Sequence, residues 1–134
     1  MRKVMVFGTF DLLHPGHLSY FEQARKFGDF LIVVVARDKN VLKIKGRKPR
    51  DDEKKRLKNV KKLKIVDKMV LGDLLDKFKV IEKEKPRVIC FGYDQKVPRD
   101  LVRKIKKLQI KTKRLKAFKP SIYKSSLMKN GFSK

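Results

Sequence analysis

The sequence predicts an α/β fold: a five-stranded, mostly parallel, doubly wound sheet with helices packed on it. Short apolar runs alternate with longer amphipathic stretches along the chain, which is typical of repeated strand–helix units. Residues 31–36 are apolar at every position, as strands buried on both faces of a parallel sheet are. The length of 134 residues suits one domain, and no internal repeat or low-complexity linker divides it. We therefore expect residues 1–134 to form a single domain.

The first half of the chain begins with an apolar strand at residues 4–7. An amphipathic helix is predicted at 16–27, and Gly28 suits its C-terminal end. The strand at 31–36 follows. Residues 37–50 show no periodic apolar face and contain a glycine and a proline, so we expect a mobile loop there.

The second half continues the alternation. The helix at 51–63 has acidic residues in its first turn and basic residues after it, the order that the helix dipole favours. Pro86 closes the next helix, and Pro98 suits the first turn of the one after it. The predicted elements are helix 51–63, strand 66–71, helix 74–84, strand 87–91, helix 98–108, edge strand 112–117 and a short helix at 123–129. This order is that of a Rossmann-like domain.

Composition narrows the classes of partner. Lys and Arg total 38 against 14 Asp and Glu, a formal charge of +24 that favours nucleic acid, an anionic membrane surface or phosphate-rich small molecules. Cys90 is the single cysteine, so no disulfide can form within the chain and a cytoplasmic location is favoured. No apolar run approaches the roughly 20 residues of a membrane-spanning helix. We expect neither a membrane span nor a signal peptide.

Both histidines of the chain lie in one segment, directly after the first strand. The segment reads Gly8-Thr9-Phe10-Asp11-Leu12-Leu13-His14-Pro15-Gly16-His17. Gly8 would let a ligand approach the backbone closely, and the helix that opens at Gly16 offers free N–H groups to phosphate. The two imidazoles could donate hydrogen bonds to phosphoryl oxygens as charge develops on them.

A metal centre explains this segment less well. Two histidines with a single nearby acid, Asp11, and no neighbouring cysteine make a poor zinc ligand set. The pattern favours a phosphate site over a metal site.

The segment resembles the His-x-Gly-His motif of the cytidylyltransferase-like nucleotidyltransferases, and the resemblance extends over nearly the whole chain. Within that family the chain looks most like the archaeal FAD synthases. The further segments that carry the resemblance are Ala36-Arg37-Asp38, Lys45-Gly46-Arg47-Lys48-Pro49, Phe91-Gly92-Tyr93-Asp94-Gln95 and Ser125-Ser126. The chain departs from the glycerol-3-phosphate type, which carries Arg-Thr-x-Gly before the serine–threonine segment, where this chain has Pro120-Ser121-Ile122-Tyr123. That departure favours FMN as the acceptor.

The resemblance implies a role for each matching residue. His14, His17 and Lys48 would be catalytic, and Lys45 and Lys48 would lie on a loop that contacts the phosphates. The implied nucleotide-binding residues are Gly8, Thr9, Phe10, His14, Pro15, Gly16, His17, Asp94, Tyr123, Ser125 and Ser126. Mg²⁺ is the implied cofactor and ATP the implied nucleotide substrate. Tyr93 and Phe118 are available to stack on a flat ring, although aromatic residues are more often part of a core.

Three functions therefore remain open. The first is adenylation of FMN by ATP to give FAD, with release of pyrophosphate. The second is CTP-dependent transfer to glycerol 3-phosphate or a similar phospho-alcohol. The third is a basic nucleic-acid-binding module, which the charge permits but for which the two histidines have no use. The family also implies a possible homodimer.

Overall fold

The computed structural model describes residues 1–117. Its strands are β1 (Lys3–Gly8), β2 (Phe30–Val35), β3 (Lys68–Leu71), β4 (Val88–Phe91) and β5 (Lys111–Arg114). Its helices are α1 (Pro15–Arg25), α2 (Asp38–Lys45), α3 (Glu53–Lys61), α4 (Phe78–Glu84) and α5 (Arg99–Lys107). The strands form one sheet in the order β3-β2-β1-β4-β5, and each neighbouring pair is parallel. The predicted α/β, Rossmann-like fold is confirmed.

The core lies on both faces of the sheet because alternate residues of a strand point to opposite sides. In β1, Val4 and Val6 belong to one buried cluster, which includes Phe21 of α1. Met5 and Phe7 belong to the other, which includes Ile105 of α5. Such two-sided burial is what the continuous apolar runs predicted, and it makes the sheet doubly wound.

The strand order reverses between β1 and β4, since β2 and β3 lie on one side of β1 and β4 and β5 lie on the other. Ligands of open α/β sheets bind outside the carboxyl ends of the strands at this point. The fold therefore places residues after β1 and after β4 at the edge where a site is expected.

The prediction of a loop at residues 37–50 is wrong, because α2 occupies part of this stretch. Asp38 supplies an acid to its first turn, and Gly46 ends it with a left-handed backbone, φ +75°. Only Val41 of this helix is buried, so it shows no apolar stripe of the kind that marked the others.

The predicted helix at 74–84 is also too long, because α4 begins at Phe78. Asp73 accepts hydrogen bonds from the N–H groups of Leu75 and Asp76, and this local turn takes the place of the first helical turn. Other predicted bounds agree within a few residues. The helix predicted at 123–129 lies outside the described residues. Among residues 1–117, no helix is long and apolar enough to cross a membrane.

Candidate active site

A cavity of about 810 Å³ opens at the carboxyl ends of the strands, at the switch point between β1 and β4. The loop after β1 and the start of α1 form its centre. From the centre the wall extends to residues after β4 on one side, and to residues after β2 and β3 on the other. The cavity thus joins the β1–α1 loop to the segments that follow β2, β3 and β4.

The loop after β1 is tightly curled. Phe10 and Leu12 both have a left-handed backbone, with φ of 55° and 47°. Residues other than glycine adopt this conformation at a cost in free energy, and such strain collects at functional sites. The turn brings His14 to the N-terminus of α1, where it acts as the N-cap.

The side chains of His14 and His17 contact each other at the N-terminus of α1. The N–H of Gly16 donates to Nδ1 of His14 at 3.1 Å, and the N–H of His14 donates to Nδ1 of His17 at 3.3 Å. The imidazole rings stack with their centroids 3.9 Å apart. Because each Nδ1 accepts a backbone hydrogen bond, the proton of each neutral ring lies on Nε2. The pair therefore offers two Nε2–H donors to a ligand.

His17 is neutral over the physiological pH range. Burial, repulsion from His14 and repulsion from the Lys45 ammonium together lower its pKa to about 4, while the Asp11 carboxylate acts in the opposite direction. A neutral imidazole donates one hydrogen bond without adding a full charge to the site. It can stabilise negative charge as that charge develops on a phosphoryl oxygen.

Gly8 lies directly against the ring of Phe10. A Cβ at this position would lie 2.5 Å from Cζ of Phe10, so the glycine makes room for the Phe10 ring. That ring is almost fully buried and meets the His17 imidazole edge to face, with centroids 5.6 Å apart. Gly8 thus leaves room for Phe10, and the Phe10 ring packs against that of His17.

A latch joins the β1–α1 loop to α2 and α3. Arg56 of α3 is fully buried, and its guanidinium donates to the carbonyl of Thr9 at 2.7 Å and to Oδ1 of Asp38 at 2.8 Å. The Asp11 carboxylate accepts from the N–H groups of Arg50 and Asp51. We call Asp11, Arg56 and Asp38 the latch residues.

The hydrogen bonds of the latch also affect the charge of Asp11. Burial raises the pKa of this carboxyl, but the backbone N–H groups and the nearby Arg56 and Arg50 outweigh that effect and lower it. Asp11 stays ionised at neutral pH, and both of its oxygens are engaged by the protein.

The gap between β1 and β4 is closed by two polar side chains. The hydroxyl of Tyr20 donates to the carbonyl of Cys90 at 3.2 Å, and the N–H of Gly92 donates to Oε1 of Gln95 at 3.0 Å. Burial raises the pKa of the Tyr20 hydroxyl, so it stays protonated and remains a donor. Both residues line the cavity, and Nε2 of Gln95 also donates to the carbonyl of Phe7 at 3.5 Å, which connects the end of β1 to the segment after β4.

The cavity brings together many of the residues predicted from the sequence. Those that line it are Gly8, Thr9, Phe10, His14, Gly16, His17, Lys45 and Asp94, together with Tyr93. Pro15 and Lys48 do not line it, and Lys48 is exposed beyond the end of α2. The role of Lys48 at the phosphates stays a prediction. Tyr123, Ser125, Ser126 and Phe118 lie outside the described residues.

The sequence analysis gave no role to several residues that line the cavity or support its walls. Arg56, Tyr20, Gln95, Asn40 and Lys77 received no role, although each belongs to the latch, the β1–β4 gap or the cavity wall. A buried arginine cannot be distinguished from a surface one by its spacing in a Lys-rich helix. Only the tertiary pairing with Thr9 and Asp38 reveals it.

Within residues 1–117, no three His, Cys, Asp or Glu side chains form a group that could hold a metal ion. Asp11 is the acid nearest in sequence to the histidines, and its oxygens already accept backbone hydrogen bonds. The described residues therefore do not fit a metal centre built by the protein.

Comparison with known proteins decides the family. The family model described as cytidylyltransferase-like matches residues 5–131. The chain belongs to the cytidylyltransferase-like family. The resemblance of its His-x-Gly-His segment to this family is thereby confirmed.

Relatives of this cytidylyltransferase-like chain include named enzymes. It is 55% identical over 95 residues to the FAD synthase of Ferroglobus placidus, covering 71% of this chain and 61% of the relative. It is 43% identical over 121 residues to the FAD synthase of Methanohalophilus mahii, covering 90% of this chain and 84% of the relative. The chain thus spans about three fifths of the length of the first relative, 61%.

A solved structure shares the fold of this cytidylyltransferase-like chain. The crystal structure of the lipopolysaccharide core biosynthesis protein from Thermoplasma volcanium superposes with a TM-score of 0.82 at 41% sequence identity. The match covers 89% of this chain and 99% of the other.

Proposed function

We propose that this chain transfers the adenylyl group of ATP to the phosphate of FMN, forming FAD and releasing pyrophosphate. The observation that carries the transfer chemistry is the stacked pair His14–His17, with both Nδ1 atoms occupied by backbone N–H groups and both Nε2–H groups free to donate. The relatives named FAD synthase support the choice of ATP and FMN.

The step itself needs no general base. A phosphate oxygen of FMN is already anionic near neutral pH and attacks the α-phosphorus of ATP. The bond from the α-phosphorus to the bridging oxygen breaks, and pyrophosphate leaves with that electron pair. Catalysis then rests on orientation and on stabilisation of the charge that develops.

The described residues supply both requirements. In this proposal the Nε2–H groups of His14 and His17 donate to the reacting phosphate, and Lys45 of α2, which lines the same cavity, contributes positive charge. The N-terminus of α1 directs its dipole at the same place. We propose MgATP as the nucleotide substrate, with the ion held by phosphate oxygens and water.

The test is pyrophosphate release with Mg²⁺ for four pairs: ATP or CTP, each with FMN or glycerol 3-phosphate. We expect turnover with ATP and FMN alone, and FAD as the product. Turnover with CTP and glycerol 3-phosphate would instead establish the cytidylyl transfer. Salt-dependent nucleic-acid binding with no pyrophosphate release in any pair would favour the binding module.

The same assay tests the histidines. Replacing His17 by Ala removes a donor to the developing charge, and we expect the rate to fall by about 10²–10³-fold, the usual effect of losing one such donor. Circular dichroism should show the fold retained. Lys79→Ala is a matched control, because Lys79 does not line the cavity. Full activity of the His17 variant would contradict the mechanism.

We include in this proposal a cytoplasmic location, a single domain over residues 1–134 and a possible homodimer. The fully buried Cys90 thiol is consistent with a reducing compartment. Light scattering at several protein concentrations tests the dimer.

A further inference from the structure

The transfer step described above uses no residue of the turn that follows β4, although this turn is part of the cavity wall. The turn runs from Gly92 to Gln95, and the N–H of Gln95 donates to the carbonyl of Gly92 at 3.1 Å, which is the hydrogen bond of a β-turn. Its two central residues, Tyr93 and Asp94, are exposed and line the cavity. Exposed turns are mobile unless other parts of the chain hold them. We call this segment the 92–95 turn.

Arg114 of β5 holds both ends of the 92–95 turn. Its Nη1 donates to the carbonyl of Gly92 at 2.7 Å and to the carbonyl of Gln95, which are the first and last residues of the turn. The guanidinium also lies over the Phe91 ring, 5.9 Å from its centroid. Hydrogen bonds from a charged donor are stronger than those between neutral groups. The side chain of Arg114 therefore connects β5 to the turn at two points.

The main chain around Arg114 is held by β4 and by α1. Arg114 pairs with Phe91 in the parallel register of β4 and β5. The N–H of Leu115 donates to the carbonyl of Phe91 at 2.8 Å, and the Leu115 side chain is buried. Gln23 of α1 accepts from the N–H of Lys116 at 2.8 Å and donates to its carbonyl at 3.1 Å. Arg114 thus reaches the turn from a main chain that is fixed to the helix carrying the two histidines.

Asp94 is the residue of the turn through which Arg114 can affect binding. The Asp94 carboxylate accepts hydrogen bonds, and both ATP and FMN carry hydroxyl and N–H groups that can donate to it. A hydrogen bond weakens steeply when its donor and acceptor are displaced or misaligned. Arg114 itself does not line the cavity. Its effect on a bound substrate is therefore expected through the position of Asp94.

We propose that Arg114 is a positioning residue for the transfer reaction: by holding both ends of the 92–95 turn, it keeps the Asp94 carboxylate where a substrate can donate to it. This inference rests on the proposed function, since it gives Asp94 a contact with one of the two substrates. Without Arg114 the turn keeps its internal hydrogen bond but loses this connection to β5. Binding of that substrate then weakens, while the histidines and the chemical step are unaffected.

The test compares the kinetic constants of variants at the two positions. Asp94→Ala identifies, by its raised KM, the substrate that the carboxylate contacts. We expect Arg114→Met to raise KM for that same substrate by about fivefold, and to leave kcat and the other KM within about twofold. Arg114→Lys, which keeps a charged donor, should restore most of the loss. Lys113→Met is the matched control, because it removes one charge from an exposed position of the same strand outside the cavity wall, and it should leave all constants unchanged.

A double-mutant cycle distinguishes positioning from long-range attraction of the anionic substrates. If Arg114 acts through Asp94, Arg114→Met should raise KM by less than about 1.5-fold in a protein that already carries Asp94→Ala. If the positive charge of Arg114 only attracts the substrates, the fivefold effect persists in that protein and the proposal is overturned. If circular dichroism shows that Arg114→Met does not fold, Arg114→Gln, which keeps a neutral donor, takes its place in the same cycle.

Two further outcomes separate the failures. Wild-type FAD synthesis combined with unchanged KM values in Asp94→Ala, or with a lowered kcat and unchanged KM values in Arg114→Met, would overturn the positioning role and leave the proposed function standing. A wild-type protein that makes no FAD from ATP and FMN would overturn the proposed function and, with it, the role of Arg114 in that reaction.

Discussion

His14 and His17 are fixed by the main chain of the turn that carries them. Each Nδ1 accepts an N–H from within the same four residues, so neither ring depends on a distant carboxylate for its tautomer. The N-terminus of α1 and its two imidazoles thus form one local unit. This locality explains why a phosphate site at this segment could be predicted from the sequence.

The low pKa of His17 predicts a stability change with pH. Its folded-state pKa is about 4 against 6.5 for the free side chain, so the unfolded chain binds more protons between these values. The free energy of unfolding should therefore fall as pH decreases from 6.5 toward 4. Urea denaturation across this range should show a steeper fall for the wild type than for His17→Asn.

The Asn variant is the appropriate control for that experiment. It keeps a polar side chain at the position but cannot titrate, while every carboxylate of the chain titrates equally in both proteins. Parallel pH profiles of the two proteins would show that the His17 ring is protonated as readily in the folded as in the unfolded chain.

Replacing Gly8 by a larger residue should disturb the packing of the loop after β1. Ala at this position places Cβ 2.5 Å from the Phe10 ring, which must shift and disturb its contact with His17. We expect a loss of about 2 kcal/mol in unfolding free energy, within the range for overpacked sites, and a lower turnover. Gly92→Ala is the control, since its Cβ would find its nearest neighbour at 3.8 Å. Equal stability of both variants would contradict this account.

At the level of elements, the latch unites parts of the chain that are far apart in sequence. Arg56 connects α3 to Thr9 in the loop after β1 and to Asp38 in the first turn of α2. Because α2 also carries Lys45, the latch sets the distance between that lysine and the two histidines. A rigid α2–α3 unit is thereby part of the site.

Arg56→Met tests the latch. The substitution leaves the Asp38 carboxylate and the Thr9 carbonyl without their buried donor, and we expect a loss of about 3 kcal/mol or more in unfolding free energy. Lys58→Met on the same helix, at an exposed position, should change stability by about 0.5 kcal/mol or less. Urea midpoints measure both. A small effect of the Arg56 substitution would mean that the latch does not hold α3 in place.

Elements with a strong local pattern were predictable, and those fixed by tertiary contacts were not. The strands at β1, β2 and β4 are continuous apolar runs, and the motif after β1 predicted the centre of the cavity. Helix α2 was missed because it buries one side chain, although Asp38 in its first turn and Gly46 after its end are ordinary helix signals. The positions of Asn40 and Lys77 in the cavity wall depend on where β2, β3 and α4 meet, which no spacing in the sequence reveals.

At the scale of the whole molecule, the formal net charge of +24 affects the stability of the folded state. Like charges repel within the compact state, so added salt should raise the melting temperature by screening. A ligand that binds only the folded protein adds its own stabilisation, about 2.7 kcal/mol at a hundred times its Kd. We expect MgATP to raise the melting temperature more than NaCl at equal ionic strength.

The variant Lys45→Ala distinguishes screening by salt from binding of MgATP. It removes one charge from the cavity wall and leaves the overall charge nearly unchanged. NaCl should raise the melting temperature of the variant as much as that of the wild type, whereas MgATP should raise it less. Identical responses of both proteins to MgATP would indicate general screening instead of binding at the site.

The position of β1 in the sheet also has a consequence for synthesis of the chain. Of the five described strands it is synthesised first, and β2 can pair with it early, but its other neighbour is β4, through Val4 with Val88 and Val6 with Cys90. The cleft between β1 and β4 therefore cannot form until most of the chain has emerged. A nascent chain can hold both histidines for a large part of translation before it has a place to bind its substrates.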